Sequence, residues 1–201
     1  MGLYTKYILP RATHFLCSHD LITQQRQKVV PQARGRVLEI GIGSGLNLPF
    51  YDPEKVQHVW GLDTSAEIWH LAGTQKIPFE VEFLQASAEE IPLDGGIADS
   101  IVVTYTLCSV PETLESLREM RRVLKPGGAL IFCEHGEAPE DSVRRWQERL
   151  NPIWQIWAGG CRLNLQIPKL LEQGGFEIQA LDMEYIPGPK FTSFNYWGTA
   201  V

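Results

Sequence analysis

The sequence predicts an α/β fold: a mostly parallel sheet with helices on both faces, ending in an antiparallel hairpin. Three observations carry this. Strand-like and helix-like segments alternate along the chain. Ser100–Thr106 (SIVVTYT) is β-branched and apolar on both faces, as a central parallel strand must be. A glycine-rich turn follows the first strand-like segment, where such sheets bind ligands. The length of 201 residues fits one domain that buries ~70% of its unfolded surface and needs no staples. With 44% hydrophobic and 21% charged residues the chain is neither a disordered tail nor a fibre. Eighteen basic against 24 acidic residues leave a net charge of −6, so no global positive field points to nucleic acid.

The elements follow in order. Arg36–Ile40 (RVLEI) is the first strand, ending at the glycine turn, after which a first helix is expected. Val56–Leu62 is the second and leads to Asp63. Thr64 or Ser65 then caps a helix carrying Ile68, Trp69 and Leu71. Glu80–Leu84 is the third strand and Ser100–Thr106 the fourth. Leu114, Leu117, Met120 and Leu124 recur at helical spacing opposite arginines and glutamates, which predicts an amphipathic helix. Lys125-Pro126-Gly127-Gly128 stops that helix before a fifth strand, Ala129–Cys133. Val143, Trp146, Leu150, Ile153 and Trp157 then mark the apolar stripe of a further helix, with a kink expected at Pro152. Ile167–Glu172 is a short helix closed by Gly174-Gly175. Phe176–Met183 and Phe194–Val201 are two strands joined by a proline–glycine loop, antiparallel if they pair.

Residues 1–35 read as one or two helices that flank or cover the main domain, residues 36–201, rather than as a second domain. Their apolar patch is broken by Pro10 and Arg11. It falls short of the ~20 residues a membrane span needs, so no membrane anchor and a cytoplasmic protein are expected. The four cysteines, at 17, 108, 133 and 161, have no close metal or redox spacing. Free thiols and no metal are expected. His14, Cys17 and His19 read as a polar helix surface.

Glu39-Ile40-Gly41-Ile42-Gly43-Ser44-Gly45 lets the backbone turn sharply and approach a ligand, with free amides facing it. Leu46 stands where a dinucleotide fingerprint has its third glycine, which argues against a nicotinamide-dependent oxidoreductase. Asp63, at the end of the second strand, can accept hydrogen bonds from both hydroxyls of a ribose.

VLEIGIGSG, GLD, ADSIVVTYTLCSV and LREMRRVLKPGGALIF, in that order, resemble the class I S-adenosylmethionine-dependent methyltransferases. The resemblance implies a Rossmann-like sheet of seven strands with an antiparallel seventh. It also implies S-adenosylmethionine as cofactor and S-adenosylhomocysteine as product. By the same resemblance Glu39, Gly41, Gly43 and Gly45 surround the methionine part and Asp63 holds the ribose, with Asn47 and Thr64 in the same binding set. Ser87, Ala88 and Glu89 line the adenine pocket, although Ser87 stands where many relatives have an aspartate. The same three residues read equally as a helix start capped by Ser87. Thr104 and Tyr105 fall near the transferable methyl, with Tyr105 a candidate catalytic residue.

CEHG, W-Q-x-x-L-x-P-x-W, GGCRLN and the closing aromatic strand are similar to methyltransferase-like proteins whose human members are thiol methyltransferases, anchored in the endoplasmic reticulum by an N-terminal hydrophobic helix. The expected acceptor is therefore a small, partly apolar molecule, a thiol first. A quinone, phenol or lipid amine is the rival acceptor, and a cofactor-binding regulator without turnover is the non-enzymatic alternative. Methyl transfer needs an aligned nucleophile and a destination for its proton. His135 has the chemistry of a base; alternatively His135 or Glu134 organises the turn through hydrogen bonds. Cys108 and Cys161 are assigned to the substrate pocket or to packing beside it. Trp154 and Trp197 are expected as its aromatic wall, with Trp146 and Trp157 in the core.

Overall fold

A computed structural model describes residues 9–72 and 76–201. Residues 1–8 of the N-terminal flank lie outside the described residues. The sheet has seven strands: β1 (Gly35–Ile40), β2 (Val56–Asp63), β3 (Glu80–Gln85), β4 (Ala98–Thr104), β5 (Leu124–His135), β6 (Ile178–Tyr185) and β7 (Phe194–Ala200). Their spatial order is β3-β2-β1-β4-β5-β7-β6. The first five strands pair in parallel, and β7 pairs antiparallel with both β5 and β6. The expected mixed sheet and its closing hairpin are both present.

Alternation along the central strands builds two cores. Leu38, Ile101, Val103, Leu130 and Phe132 belong to one, with Leu117 and Met120 of helix α4 (Thr113–Val123) and Leu171 of α6 (Ile167–Gln173). Val37, Val102 and Ile131 belong to the other, beneath Val29 of α2 (Asp20–Val29). Successive residues thus enter opposite cores, as the period of two requires. Both flanks are apolar, so every buried strand residue has a partner layer. The described part of the flank read from residues 1–35 holds α1 (Leu9–Cys17) and α2.

Four local expectations are corrected. No α-helix follows β1: the chain runs through turns into a 3-10 turn at Leu48–Phe50, since Gly41, Gly43 and Gly45 all hold positive φ. Helix α3 (Ala66–Trp69) is one turn long, capped by Ser65, whose Oγ accepts from the Ile68 amide at 3.3 Å. Ser87–Glu89 is a turn rather than a helix start; Ser87 Oγ donates to the Glu89 carboxylate. β5 begins at Leu124 and runs through Lys125–Gly128 instead of starting after it.

The largest correction concerns α5 (Asp141–Trp157), a continuous helix across Pro152. Trp146, Ile153, Ile156 and Trp157 are 57, 60, 74 and 67% exposed. Of the expected stripe, Trp146, Ile153 and Trp157 face outward while Val143 packs against the core and Leu150 is half-buried, and the fully buried residue is Gln147. Its Nε2 donates to the carbonyls of Gly136 (3.0 Å), Leu163 (2.9 Å) and Phe191 (3.2 Å), and its Oε1 accepts from the Ala138 amide at 2.9 Å. One amide satisfies the backbones of three separate segments, and this anchors the helix where a hydrophobic side chain would leave those groups unpaired.

Candidate active site

The carboxyl ends of β1, β2 and β4 open into a cleft of about 260 Å³. The glycine turn forms its floor. At Gly41 (φ +69°) an added Cβ would lie 2.3 Å from Thr106 Oγ1, so only glycine fits there. Gly43 donates its amide to Asp63 Oδ2 at 3.0 Å, and the Ser65 amide bonds Asp63 Oδ1 at 2.9 Å. Burial pushes the Asp63 carboxyl up, against the pull of the Ser65, Gly43 and Thr64 backbone bonds.

Beneath the turn lies a closed polar network. Tyr51 Oη donates to Glu39 Oε2 at 2.7 Å, and Asn47 Nδ2 donates to Glu39 Oε1 and to Thr104 Oγ1, both at 3.0 Å. Burial raises the Glu39 carboxyl to about 7, opposed by the donors Tyr51 and Asn47. Asn47 Oδ1 is buried without a partner among the described residues.

Glu39, Gly41, Gly43, Asn47, Asp63, Thr64, Ser87, Ala88, Glu89, Thr104 and Tyr105 all lie on the cleft wall. Gly45 lies outside it, with Leu48 Cδ1 2.9 Å from its Cβ position. The N-terminal helices supply residues that sequence reasoning set aside. His14 and Cys17 of α1 and Arg26 of α2 line the cleft, with His14 Nδ1 2.6 Å from Ser44 Oγ on the glycine turn. His19 instead caps α2 through the Leu21 amide (3.3 Å). The only sequence signal for α1 was its helical reading. Nothing local told which way it folds back.

Tyr105 closes the far end of the cleft with φ +53°, a left-handed conformation rare for a side chain this large. Glu134 enforces it: its Oε1 accepts from the amides of Thr106 (2.7 Å) and Leu107 (3.0 Å), the two residues that follow. The Tyr105 hydroxyl donates to Asn195 Oδ1 at 2.7 Å. Burial pushes its pKa well above the ordinary phenol value, so it is a bound donor rather than a proton acceptor near neutral pH. Glu134 itself was seen in sequence only as a turn organiser. Burial raises it to about 7, against those amide bonds.

The remaining candidates sit behind this wall. His135 Nε2 is 3.2 Å from Cys161 Sγ, and Trp154 Nε1 donates to the same sulfur at 3.4 Å. Burial pulls His135 down, but the Cys161 contact and Glu134 outweigh it and the net shift is upward. Cys108 joins His135 and Cys161 in one cluster. Trp154 meets Phe191 edge to face at 6.3 Å. Trp197 packs with the Val29 core, and Lys28 Nζ stands 4.0 Å over its ring, so it is part of the α2 face rather than of the cleft.

A positive-φ glycine turn under an acid at the end of the neighbouring strand, in a sheet with an antiparallel seventh strand, defines a nucleoside-binding α/β enzyme site. A methyltransferase-domain family model matches residues 38–132. The human thiol S-methyltransferase TMT1A is 32% identical over 177 residues, covering 85% of this chain and 70% of the relative. Human TMT1B is 37% identical over 178 residues with the same coverage. A solved S-adenosylmethionine-dependent methyltransferase from Thermotoga maritima, 20% identical, covers all of both chains with a TM-score of 0.70 and shares the fold. The chain belongs to the class I S-adenosylmethionine-dependent methyltransferases. It is an enzyme of that class, with S-adenosylmethionine as cofactor and S-adenosylhomocysteine as product.

The site fits that cofactor. At Gly41 a Cβ would collide with the Thr106 side chain on the cleft wall, so glycine keeps the backbone close to the ligand space, and Asn47 Oδ1 beneath the turn is an acceptor with no partner among the described residues. Asp63 bonds only backbone amides among the described residues, which leaves lone pairs for donors in the cleft.

Proposed function

We propose that this enzyme methylates a small, partly apolar acceptor, a thiol in the first place. The observation that carries the thiol reading is the extent of likeness. The two human thiol S-methyltransferases match over 85% of the chain. A demethylmenaquinone methyltransferase from Clavibacter sepedonicus and a phosphatidylethanolamine N-methyltransferase from Cereibacter sphaeroides match 58% and 50% of it. The long matches take in more of the chain, and hence more of what can distinguish one acceptor from another.

In this reading Gly41, Gly43, Glu39 and Asn47 hold the methionine part, Asp63 the ribose, and Ser87–Glu89 the adenine side. The bound cofactor supplies an electrophilic methyl group on a sulfonium. The chain's own residues align the acceptor and exclude water. Tyr105, fixed by Glu134 and Asn195, shapes the acceptor end. A thiol with an ordinary pKa near ~8.5 is partly ionised at neutral pH and needs little help from a base. Helices α1 and α2 form a cover: His14 on Ser44 closes the near side, and Arg26, 5.7 Å from the Tyr105 ring, closes the far one.

The test is an acceptor panel of small alkyl and aryl thiols, hydroquinones, phenols and lipid amines, read as S-adenosylhomocysteine formed and as methylated product by mass spectrometry. Methyl thioethers from the thiols are expected. Turnover with hydroquinone or amine and none with thiols overturns the thiol reading.

A further inference from the structure

We propose that Cys108, His135 and Cys161 form a binding site for a thiophilic divalent cation of the zinc type, with three protein ligands and a fourth position open. The three come from separate parts of the fold: the loop after β4, the end of β5 and the segment after α5. Their ligand atoms all lie within 4.8 Å of one another. Zinc–sulfur bonds of about 2.3 Å at tetrahedral angles put two sulfurs about 3.8 Å apart, so closing on the ion needs a contraction of about 1 Å at most. Two thiols and an imidazole suit zinc and related soft or borderline ions. Magnesium and calcium prefer oxygen. Two thiolates and a neutral imidazole balance a dication, so the loaded site adds no net charge to the interior.

The surroundings hold the three ligands in register. The Arg162 amide donates to the Cys108 carbonyl at 2.9 Å, and the Arg162 guanidinium bonds the carbonyls of Leu107, Cys108 and Val110. That residue follows Cys161, so the two cysteine segments are tied together by one side chain. His135 is fixed in β5 opposite Asn195 of β7. Trp154 donates to Cys161 Sγ, the kind of outer contact that steadies a ligating sulfur.

The imidazole gives an independent sign. Among the described residues His135 Nδ1 is buried with no hydrogen-bond partner, and Nε2 meets a thiol, a weak one. Coordination at Nε2 replaces that weak contact with a metal bond and leaves Nδ1 as it is. Oxidation of Cys108 and Cys161 to a disulfide would use the same sulfurs but give Nε2 no stronger partner, which favours the cation. Ser109, whose Oγ lies 3.5 Å from Cys108 Sγ, lines the cleft, so the site adjoins the cleft wall. Three ligands leave one position for water or a thiolate. The assignment holds whichever acceptor the enzyme uses.

The test uses the whole protein, reduced, stripped with a chelator and kept anaerobic. It is titrated with cobalt(II) and then with zinc in competition with a chromogenic chelator. One equivalent of cobalt with thiolate-to-metal charge-transfer absorption, displaced by zinc, is expected. Cys161→Ser, Cys108→Ser and His135→Gln should each weaken zinc binding beyond the about 10–100-fold typical of losing an outer contact. Cys17→Ser should leave it unchanged. Alkylation of the unmutated protein with and without zinc serves if a variant does not fold: Cys108 and Cys161 become protected and Cys17 does not. No stoichiometric uptake, uptake that survives Cys161→Ser, or a Cys108–Cys161 disulfide formed in air by a protein that takes up no cation overturns the proposal.

Discussion

Glu39 and Glu134 occupy matching places and do different work. Each is buried near the carboxyl end of a parallel strand, β1 or β5, and each carboxyl is raised to about 7 by burial. Strand alternation places Glu39 with the Val37 core and Glu134 with the Phe132 core, on opposite faces of the sheet. Both Glu39 oxygens take side-chain donors, Tyr51 and Asn47. Glu134 concentrates two backbone amides on Oε1 and leaves Oε2 without a partner among the described residues. The first glutamate sits beneath the proposed cofactor cradle and anchors Asn47. The second holds one residue, Tyr105, in a conformation it would not otherwise adopt. Burial and charge are the same in both, and the donors alone separate a binding role from a scaffolding one.

Removing Glu134 breaks the comparison most sharply. Glu134→Ala leaves the Thr106 and Leu107 amides buried and unpaired, and should cost about 3 kcal/mol of unfolding free energy in urea titrations. Glu134→Gln keeps an acceptor and should recover most of it. Equal stability of the two variants would mean that the amides are not what the side chain serves.

pH treats the pair alike. Both folded pKa values lie above the ordinary 4.5, so the stability they contribute is fully present below about 4.5 and is lost as pH rises through about 7. The unfolding free energy should therefore fall across that window by up to about 3 kcal/mol for each carboxyl, and Glu39→Gln and Glu134→Gln should each flatten the fall. Glu119, held below the usual range by the Arg122 guanidinium, works in the other direction on the acid side. A profile that rises between pH 5 and 7 and is untouched by either substitution would contradict both environments.

Asp63→Ala gives the smallest change and sharpens the binding half of the contrast. It should weaken S-adenosylhomocysteine by more than about 1 kcal/mol in calorimetric titration, since the two bonds proposed from Asp63 to the ribose are removed, while denaturation shifts less than in Glu134→Ala. Unchanged affinity would remove Asp63 from the site.

Legibility in the sequence followed the range of the forces involved. The strands, the glycine turn and Asp63 were readable because period, turn chemistry and strand-end position are local signals. Helix α4 read correctly for the same reason. Helix α5 was legible as a helix but not in its facing, because its anchor is one glutamine bonded to three distant backbones, and no periodicity reports that. The place of α1 over Ser44, the grip of Glu134 on the residues after β4, and the convergence of Cys108, His135 and Cys161 are all tertiary. Each depends on where separate segments meet, and residue types at close spacing carry no trace of it.

The strand order has a consequence for how the molecule is assembled in time. β6 is synthesised before β7, yet it joins the sheet only through β7, which lies between it and β5. Until β7 arrives, β5 is an open edge and β6 a strand with nowhere to pair, a state prone to wrong partners. That edge of the sheet is therefore completed in a single late step, and a nascent chain halted before Phe194 carries both exposed edges at once.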